Sequence, residues 1–192
     1  IDAETKKGNW YKPCGSSLSG KKACLIGFGN IGQSIARKLL AFQVSVYAFD
    51  PFYDVKTRGQ PSNITLGDFN TCMQDADYIF IACALTETSK HLIRRDTVKS
   101  ARHGVRIINV ARGPIVKESD IVELLEEGFV HAVGFDVFEE EPLPMHSKLR
   151  DFPQNIYGSH NGSNTVEAVD RTSNIAVERI VEFLKNKISE NC

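Results

Sequence analysis

The chain has 192 residues and a formal net charge of −1, with 23 Lys and Arg against 24 Asp and Glu. Hydrophobic residues make up 42% and charged residues 24%, ordinary proportions for a globular protein. At roughly 150 residues per domain the length implies one domain, or one domain with an appendage, and the lack of a basic excess excludes a nucleic-acid or anionic-membrane partner from expectation.

Short apolar runs alternate with helical patterns along the chain. Ala23–Ile26 reads as a first strand ending at Gly27, and Ile31–Phe42 carries Ile31, Ile35, Ala36, Leu39 and Leu40 at helical spacing. Val44–Phe49 reads as a second strand, Ile64–Leu66 as a weak third, Asp68–Ala76 as a helix and Tyr78–Cys83 as a buried fourth strand. A short helix over Arg95–Ala101 precedes a fifth strand, Val105–Val110. Glu118–Glu127 is a helix ending at Gly128, a typical residue after a helix C-cap. Val130–Phe135 and Ile156–Tyr157 complete the strands, and Thr165–Lys187 is a long closing helix. Strands that are apolar on both faces and separated by helices predict an α/β fold, a doubly wound parallel sheet with helices on both faces. Ile1–Ser19 and the Glu- and Pro-rich Glu139–Pro153 are expected to be the least ordered segments.

No apolar run approaches the roughly 20 residues of a membrane span, and Ile1-Asp2-Ala3-Glu4 lacks the basic start and apolar core of a signal peptide. A chain that begins at Ile1 and not Met is expected to be a piece of a longer one. Cys14, Cys24, Cys72, Cys83 and Cys192 are odd in number and contain no C-x-x-C pair, so neither a zinc site nor a disulfide framework is expected. Cys24 and Cys83 lie in apolar runs and read as small core residues. A reducing, cytoplasmic setting fits this usage.

Gly27-Phe28-Gly29-Asn30-Ile31-Gly32 matches G-x-G-x-x-G. The string is weak alone, but here it follows a strand and opens a helix, the context of a Rossmann-type dinucleotide site. Gly27 permits the tight turn, Gly29 lets backbone approach a pyrophosphate, and Gly32 lets helix and strand pack closely. The helix N-terminus offers unpaired N–H groups to phosphate. Asp50 ends the second strand 18 residues after Gly32, where a carboxylate accepts hydrogen bonds from ribose hydroxyls and repels a 2′-phosphate. NAD is therefore the expected cofactor, in preference to NADP.

Five further stretches carry a family resemblance: Leu18–Lys22, Leu85–Thr88, Asn109–Gly113, Phe135–Pro142 and Ser159–Gly162. Their order and spacing, over most of the chain, resemble the nucleotide-binding domain of the D-isomer-specific 2-hydroxyacid dehydrogenases. The tail Ser163–Ala168 is most similar to the phosphoglycerate dehydrogenase branch. Two positions depart from the family pattern, which usually has Pro where Ala84 and Ser159 stand. The resemblance implies that 1–19 is the end of a crossing helix and linker, 20–173 the dinucleotide domain, and 174–192 a helix leading back to a substrate domain. It also implies a homodimer pairing through this domain.

The implied reaction transfers a hydride between NAD(H) and a small 2-hydroxy or 2-oxo acid. Arg112 suits the substrate carboxylate, because a guanidinium is a permanently charged planar fork. His160 suits the acid/base role, since an unperturbed imidazole titrates near pH 6.5, about neutrality. Glu141, directly before Pro142, suits the orienting role, because a neighbouring carboxylate favours the charged imidazole. The resemblance assigns Asp136 to the nicotinamide carboxamide. It also places Asn30, Ile31, Ala84, Leu85, Thr88, Val110 and Ala111 against the cofactor. His91, His103, His131 and His146 have no carboxylate or cysteine at ligand spacing and read as structural or exposed, so no metal site is expected. The competing reading is an NAD-sensing, corepressor-like binding module without turnover.

Overall fold

The computed structural model describes residues 1–190; Asn191 and Cys192, the end of the expected 174–192 segment, lie outside the described residues. The strands are β1 (Lys22–Ile26), β2 (Ser45–Phe49), β3 (Ile64–Leu66), β4 (Tyr78–Ile81), β5 (Val105–Asn109), β6 (Val130–Phe135) and β7 (Ile156–Tyr157). The helices are α1 (Asp2–Lys6), α2 (Asn30–Ala41), α3 (Val55–Arg58), α4 (Phe69–Met73), α5 (Arg95–Val98), α6 (Glu118–Glu126) and α7 (Val166–Glu190). Among the described residues, the seven strands form one parallel sheet in the order β3-β2-β1-β4-β5-β6-β7.

The sheet is parallel because its central strands have no polar face. Ala23, Cys24, Leu25 and Ile26 of β1 are all buried, and they alternate between two cores. Ala23 and Leu25 meet Ala36 and Leu39 of α2 on one side, while Cys24 and Ile26 join the core of Met73, Val98 and Ile121 from α4, α5 and α6. Burying each such Leu or Ile contributes roughly 1.5–3 kcal/mol. The doubly wound α/β expectation holds.

Strand register builds the site. Phe49, Ile26, Ile81, Asn109, Phe135 and Tyr157 form one row across β2, β1, β4, β5, β6 and β7. The next residues are therefore Asp50, Gly27, Ala82, Val110, Asp136 and Gly158, all at the carboxyl edge. The order reverses between β1 and β4, and ligands of open α/β sheets bind at such a switch point.

Several local expectations need correction. The Asp68–Ala76 helix begins as expected, with Asp68 accepting from the Thr71 N–H, but stops at Met73. Gln74 is extended there and Asp75 is left-handed at φ 54°. Glu139–Pro153 is a mostly exposed loop, but it is anchored at two residues. Leu149 is fully buried, and the Arg150 guanidinium donates to the Leu143 and Pro144 carbonyls. Cys83 is only half-buried, whereas Cys24 and Cys72 are the core thiols. No helix of the described residues is long and apolar enough to cross a membrane.

Candidate active site

The glycine loop joins β1 to α2 by close backbone contact. Gly27 has φ 93°, and a Cβ there would lie 2.6 Å from the Cys83 nitrogen on the β4 side. A Cβ on Gly32 would lie 2.1 Å from the Gly27 carbonyl oxygen, so only glycine lets α2 start this close to the strand. Gly29 differs, because a Cβ there would meet nothing within 4 Å. Gly29 is also the N-cap of α2 and supplies no side-chain cap. The space beside Gly29 at the start of α2 is therefore open, and a helix N-terminus with free first-turn N–H groups is the arrangement that accepts a phosphate.

Asp50 stands beside this loop. Its Oδ2 accepts from the Phe28 N–H at 2.8 Å and its Oδ1 from the Phe52 N–H at 2.9 Å. Each oxygen keeps a lone pair for a hydroxyl donor. A crevice of about 390 Å³ opens from α2 across β4 and β5, lined by Ile31, Ala82, Cys83, Ala84, Leu85, Val110, Ala111 and Arg112. Ile31 is 58% exposed, Leu85 42% and Val110 39%, so apolar surface rims the crevice. Open glycine backbone, a helix N-terminus, a strand-end carboxylate and apolar walls together fit a dinucleotide.

The turn bearing Arg112 is set by Asn109, which is fully buried. Its Oδ1 accepts from the Ala111 N–H and its Nδ2 donates to the Arg112 carbonyl, both at 3.0 Å. Gly113 then presses on the loop after β6, where a Cβ would lie 1.8 Å from the Phe138 carbonyl oxygen. That loop carries Glu141. Glu141 Oε1 accepts from the Phe138 N–H at 2.9 Å, and Oε2 lies 2.8 Å from His160 Nδ1. The His160 hydrogen bond, then that of Phe138, holds the Glu141 carboxyl below its usual range, and the Arg112 charge acts in the same direction. A carboxylate on Nδ1 leaves Nε2 as the nitrogen free to exchange a proton.

Asp136 anchors the His160 loop. Its carbonyl accepts from the His160 N–H at 2.7 Å, and its carboxylate oxygens accept from Asn161 at 3.0 Å and Gly162 at 2.9 Å. These bonds hold His160 in a left-handed conformation, φ 56°, although Ser159 stands where the family usually has Pro. The other departure is compensated similarly. Ser89 Oγ donates to the Ala84 carbonyl at 2.8 Å and accepts from the Thr86 N–H at 2.7 Å, closing the loop without proline.

The family model for the D-isomer specific 2-hydroxyacid dehydrogenase, NAD binding domain, matches residues 1–162. The chain belongs to this family. As a member, it is 35% identical over 185 residues to a D-3-phosphoglycerate dehydrogenase of Bacillus subtilis, covering 96% of this chain and 35% of that one. It is 36% identical over 186 residues to a hydroxypyruvate reductase of Thermotoga maritima, covering 93% of this chain and 58% of that one. The TT0316 protein of Thermus thermophilus superposes with a TM-score of 0.85 at 27% identity, covering 96% of this chain and 59% of that one. This NAD-binding domain therefore spans less than two thirds of the length of each of these relatives.

In this family member, Ile31, Ala84, Leu85, Val110, Ala111 and Arg112 share the crevice, and Gly27, Gly29, Asn30, Gly32 and Asp50 lie at the turn between β1 and α2 and the end of β2. Thr88 is not among the crevice-lining residues; it is exposed, with its hydroxyl 3.1 Å from that of Thr86. His160 and Glu141 line a neighbouring hollow of about 580 Å³ with Phe138, Arg150 and Tyr157. His91 is not without a carboxylate partner as read from spacing, because Glu139, 48 residues away, reaches its Nε2 at 2.6 Å. Among the described residues, no group of three or more His, Cys, Asp or Glu is placed to hold a metal ion. Sequence reading missed Asn109 and Ser89 as positioning groups. Asn109 is legible only as a polar residue ending β5, and Ser89 has no signal beyond its place in the loop after β4.

Proposed function

We propose that this domain is the cofactor half of an oxidoreductase that interconverts a small D-2-hydroxy acid and its 2-oxo acid with NAD(H). The observation that carries the reading is one sheet edge bearing both the open glycine loop and the triplet Arg112, Glu141 and His160. The names of two relatives, D-3-phosphoglycerate dehydrogenase and hydroxypyruvate reductase, support a small hydroxy or oxo acid as substrate class.

When bound, NAD(H) supplies or accepts the hydride. Gly29 and the first turn of α2 hold the pyrophosphate. Asp50 accepts from the ribose hydroxyls and disfavours a 2′-phosphate. Ile31, Ala84, Leu85, Val110 and Ala111 shield the rings, and Asp136 turns its remaining acceptor capacity to the carboxamide. Arg112 binds the substrate carboxylate in a fork and polarises the neighbouring carbonyl. For reduction, protonated His160 gives its Nε2 proton to the substrate oxygen; for oxidation, neutral His160 removes the hydroxyl proton. Glu141 keeps the ring in place through Nδ1 in both directions.

Segments 1–19 and 174–192 are read as leading to a substrate domain, with 20–173 as the dinucleotide domain. Residues that select the substrate side chain would then lie mostly outside this chain. Pairing of two copies through this domain is part of the same reading, and free thiols at Cys14, Cys24, Cys72 and Cys83 support a cytoplasmic setting. The His160–Glu141 pair favours turnover over a purely sensing module. Calorimetric titration with NADH and then NADPH tests the cofactor half. Micromolar NADH binding, with NADPH weaker by about tenfold or 1.4 kcal/mol, is expected. Binding of neither would overturn the assignment.

A further inference from the structure

His91 connects three parts of the site that chain order keeps apart. It ends the loop after β4 that contributes Ala84 and Leu85 to the crevice. Its N–H donates to the Pro114 carbonyl at 2.9 Å, two residues beyond Arg112. Its Nε2 lies 2.6 Å from Glu139 Oε1, two residues before Glu141. Glu139 is held in turn by α6. Its Oε2 accepts from the Glu118 N–H at 3.0 Å, satisfying a first-turn donor of that helix, and its own N–H donates to Glu118 Oε1 at 2.6 Å. His91 is also left-handed, at φ 50°. A side chain in that region is retained where several surrounding contacts fix it together.

This arrangement is more than a surface ion pair. The loop after β6 has little regular structure of its own, yet it must hold Glu141 within hydrogen-bond reach of His160. Phe138 fixes one end of it, packing on Phe135 and Tyr157 with its carbonyl against Gly113. Glu139 is the next residue, and it is clamped from both sides. Carboxylates crowd around the clamp: burial pushes the Glu118 carboxyl up, the Glu139 N–H bond opposes that, and the charges of Glu139, Glu140 and Glu141 push it up further.

We infer that His91 is a positioning residue for the acid/base pair: through Glu139 it holds the Glu141 loop, and through Pro114 it holds the Arg112 turn, at one mutual spacing. The inference deepens the dehydrogenase reading and rests on it for the roles of Glu141 and Arg112. It concerns the chain's own geometry, so it is measurable without turnover.

The test uses the full chain labelled with ¹⁵N-histidine and reads solvent exchange of the His160 Nδ1 proton, with melting temperature and NADH affinity from the same samples. His91→Ala and Glu139→Ala each remove the clamp. His91→Gln carries the same Cβ strain as His91→Ala but presents an amide N–H toward Glu139, so the difference between them isolates the contact. The expected result is His160 exchange about fivefold or more faster in the two alanine variants and near the parental rate in His91→Gln, with NADH affinity little changed. Exchange within about twofold of the parent in both alanine variants, even with a lowered melting temperature, would make His91 merely structural and overturn the inference. Equal exchange in His91→Gln and His91→Ala would overturn it too. If His91→Ala does not fold, Glu139→Ala decides alone. Failure of the parent to bind NADH would defeat the cofactor reading and leave the exchange result standing.

Discussion

His160 Nδ1 and Glu141 Oε2 stand 2.8 Å apart although 19 residues separate them in the chain. The contact lowers the Glu141 carboxyl below its ordinary value of 4.5, with the His160 bond as the largest cause. A folded-state value below the unfolded one contributes stability that is present above the unfolded value and lost as pH falls through the folded one. The Glu141 titration, followed by carboxyl ¹³C NMR, is therefore expected to centre below 4.5 and to move upward in His160→Ala. No upward movement would mean that the pair does not persist in solution. In the complete enzyme the same variant should keep its NADH affinity and lose turnover by about 10²–10⁴-fold, the usual contribution of a general acid or base.

Asp50 has two tasks, and one substitution separates them. It holds the Phe28 and Phe52 N–H groups, and it is the acceptor proposed for ribose hydroxyls. Asp50→Ala is expected to weaken NADH binding by about tenfold or more, because loss of an acceptor leaves donors unsatisfied at a cost of about 1–3 kcal/mol. NADPH should lose much less, since the repulsion of its 2′-phosphate goes with the carboxylate. Calorimetry with both cofactors reads the ratio directly. An unchanged ratio would leave Asp50 with only the loop-holding task.

How much of this was legible in the sequence depends on how local each cause is. β3, β6 and β7 match the expected spans Ile64–Leu66, Val130–Phe135 and Ile156–Tyr157, because short, mostly apolar runs between turns carry their own signal. α2 begins at Asn30, one residue before the periodic pattern, since the glycine loop that precedes it fixes the start. The one-turn α3 has no periodicity to read; it forms where Asp54 accepts from the Lys56 N–H. Cys83 looked like core because its run is apolar, but it follows the last residue of β4 by two and lies on the crevice wall. The clamp of His91 on Glu139 joins residues 48 apart, and no sequence spacing encodes such a pair. Arg112, Glu141 and His160 were legible only through motif resemblance, whereas the bonds of Asn109 and Asp136 that place them come from strand register.

Two glycines of the site predict opposite outcomes for the same substitution. A Cβ at Gly29 would meet nothing within 4 Å, and its φ of −74° is open to any residue. Gly29→Ala is therefore expected to leave the melting temperature nearly unchanged and to weaken NADH binding by about tenfold or more, because the methyl occupies the space proposed for pyrophosphate. A Cβ at Gly113 would lie 1.8 Å from the Phe138 carbonyl oxygen, inside the packed contact between the Arg112 turn and the Glu141 loop. Gly113→Ala should cost about 1–3 kcal/mol of stability, as overpacking does. Thermal melting and NADH titration of both variants make the check. A stable Gly113→Ala protein would show that the two loops can separate without loss.

Arg112 offers the sharpest discrimination between a charge and a shape. Its carbonyl is fixed by Asn109 Nδ2, and its own Nη1 donates to the Ala111 carbonyl at 2.6 Å, which leaves the outer donors of the guanidinium for a ligand. Lysine in its place would keep the positive charge and lose the planar fork. In the complete enzyme, Arg112→Lys is expected to raise KM for the oxo acid and lower kcat, with kcat/KM falling about 10²-fold, a loss of about 2.7 kcal/mol of transition-state stabilisation. NADH affinity should stay near that of the parent, because the lysine carries the same charge at the same crevice. A combined cofactor titration and steady-state measurement reads both quantities. Near-parental kcat/KM would show that positive charge alone suffices and that no bidentate contact is made; a parallel loss of NADH affinity would place Arg112 on the cofactor and not on the substrate.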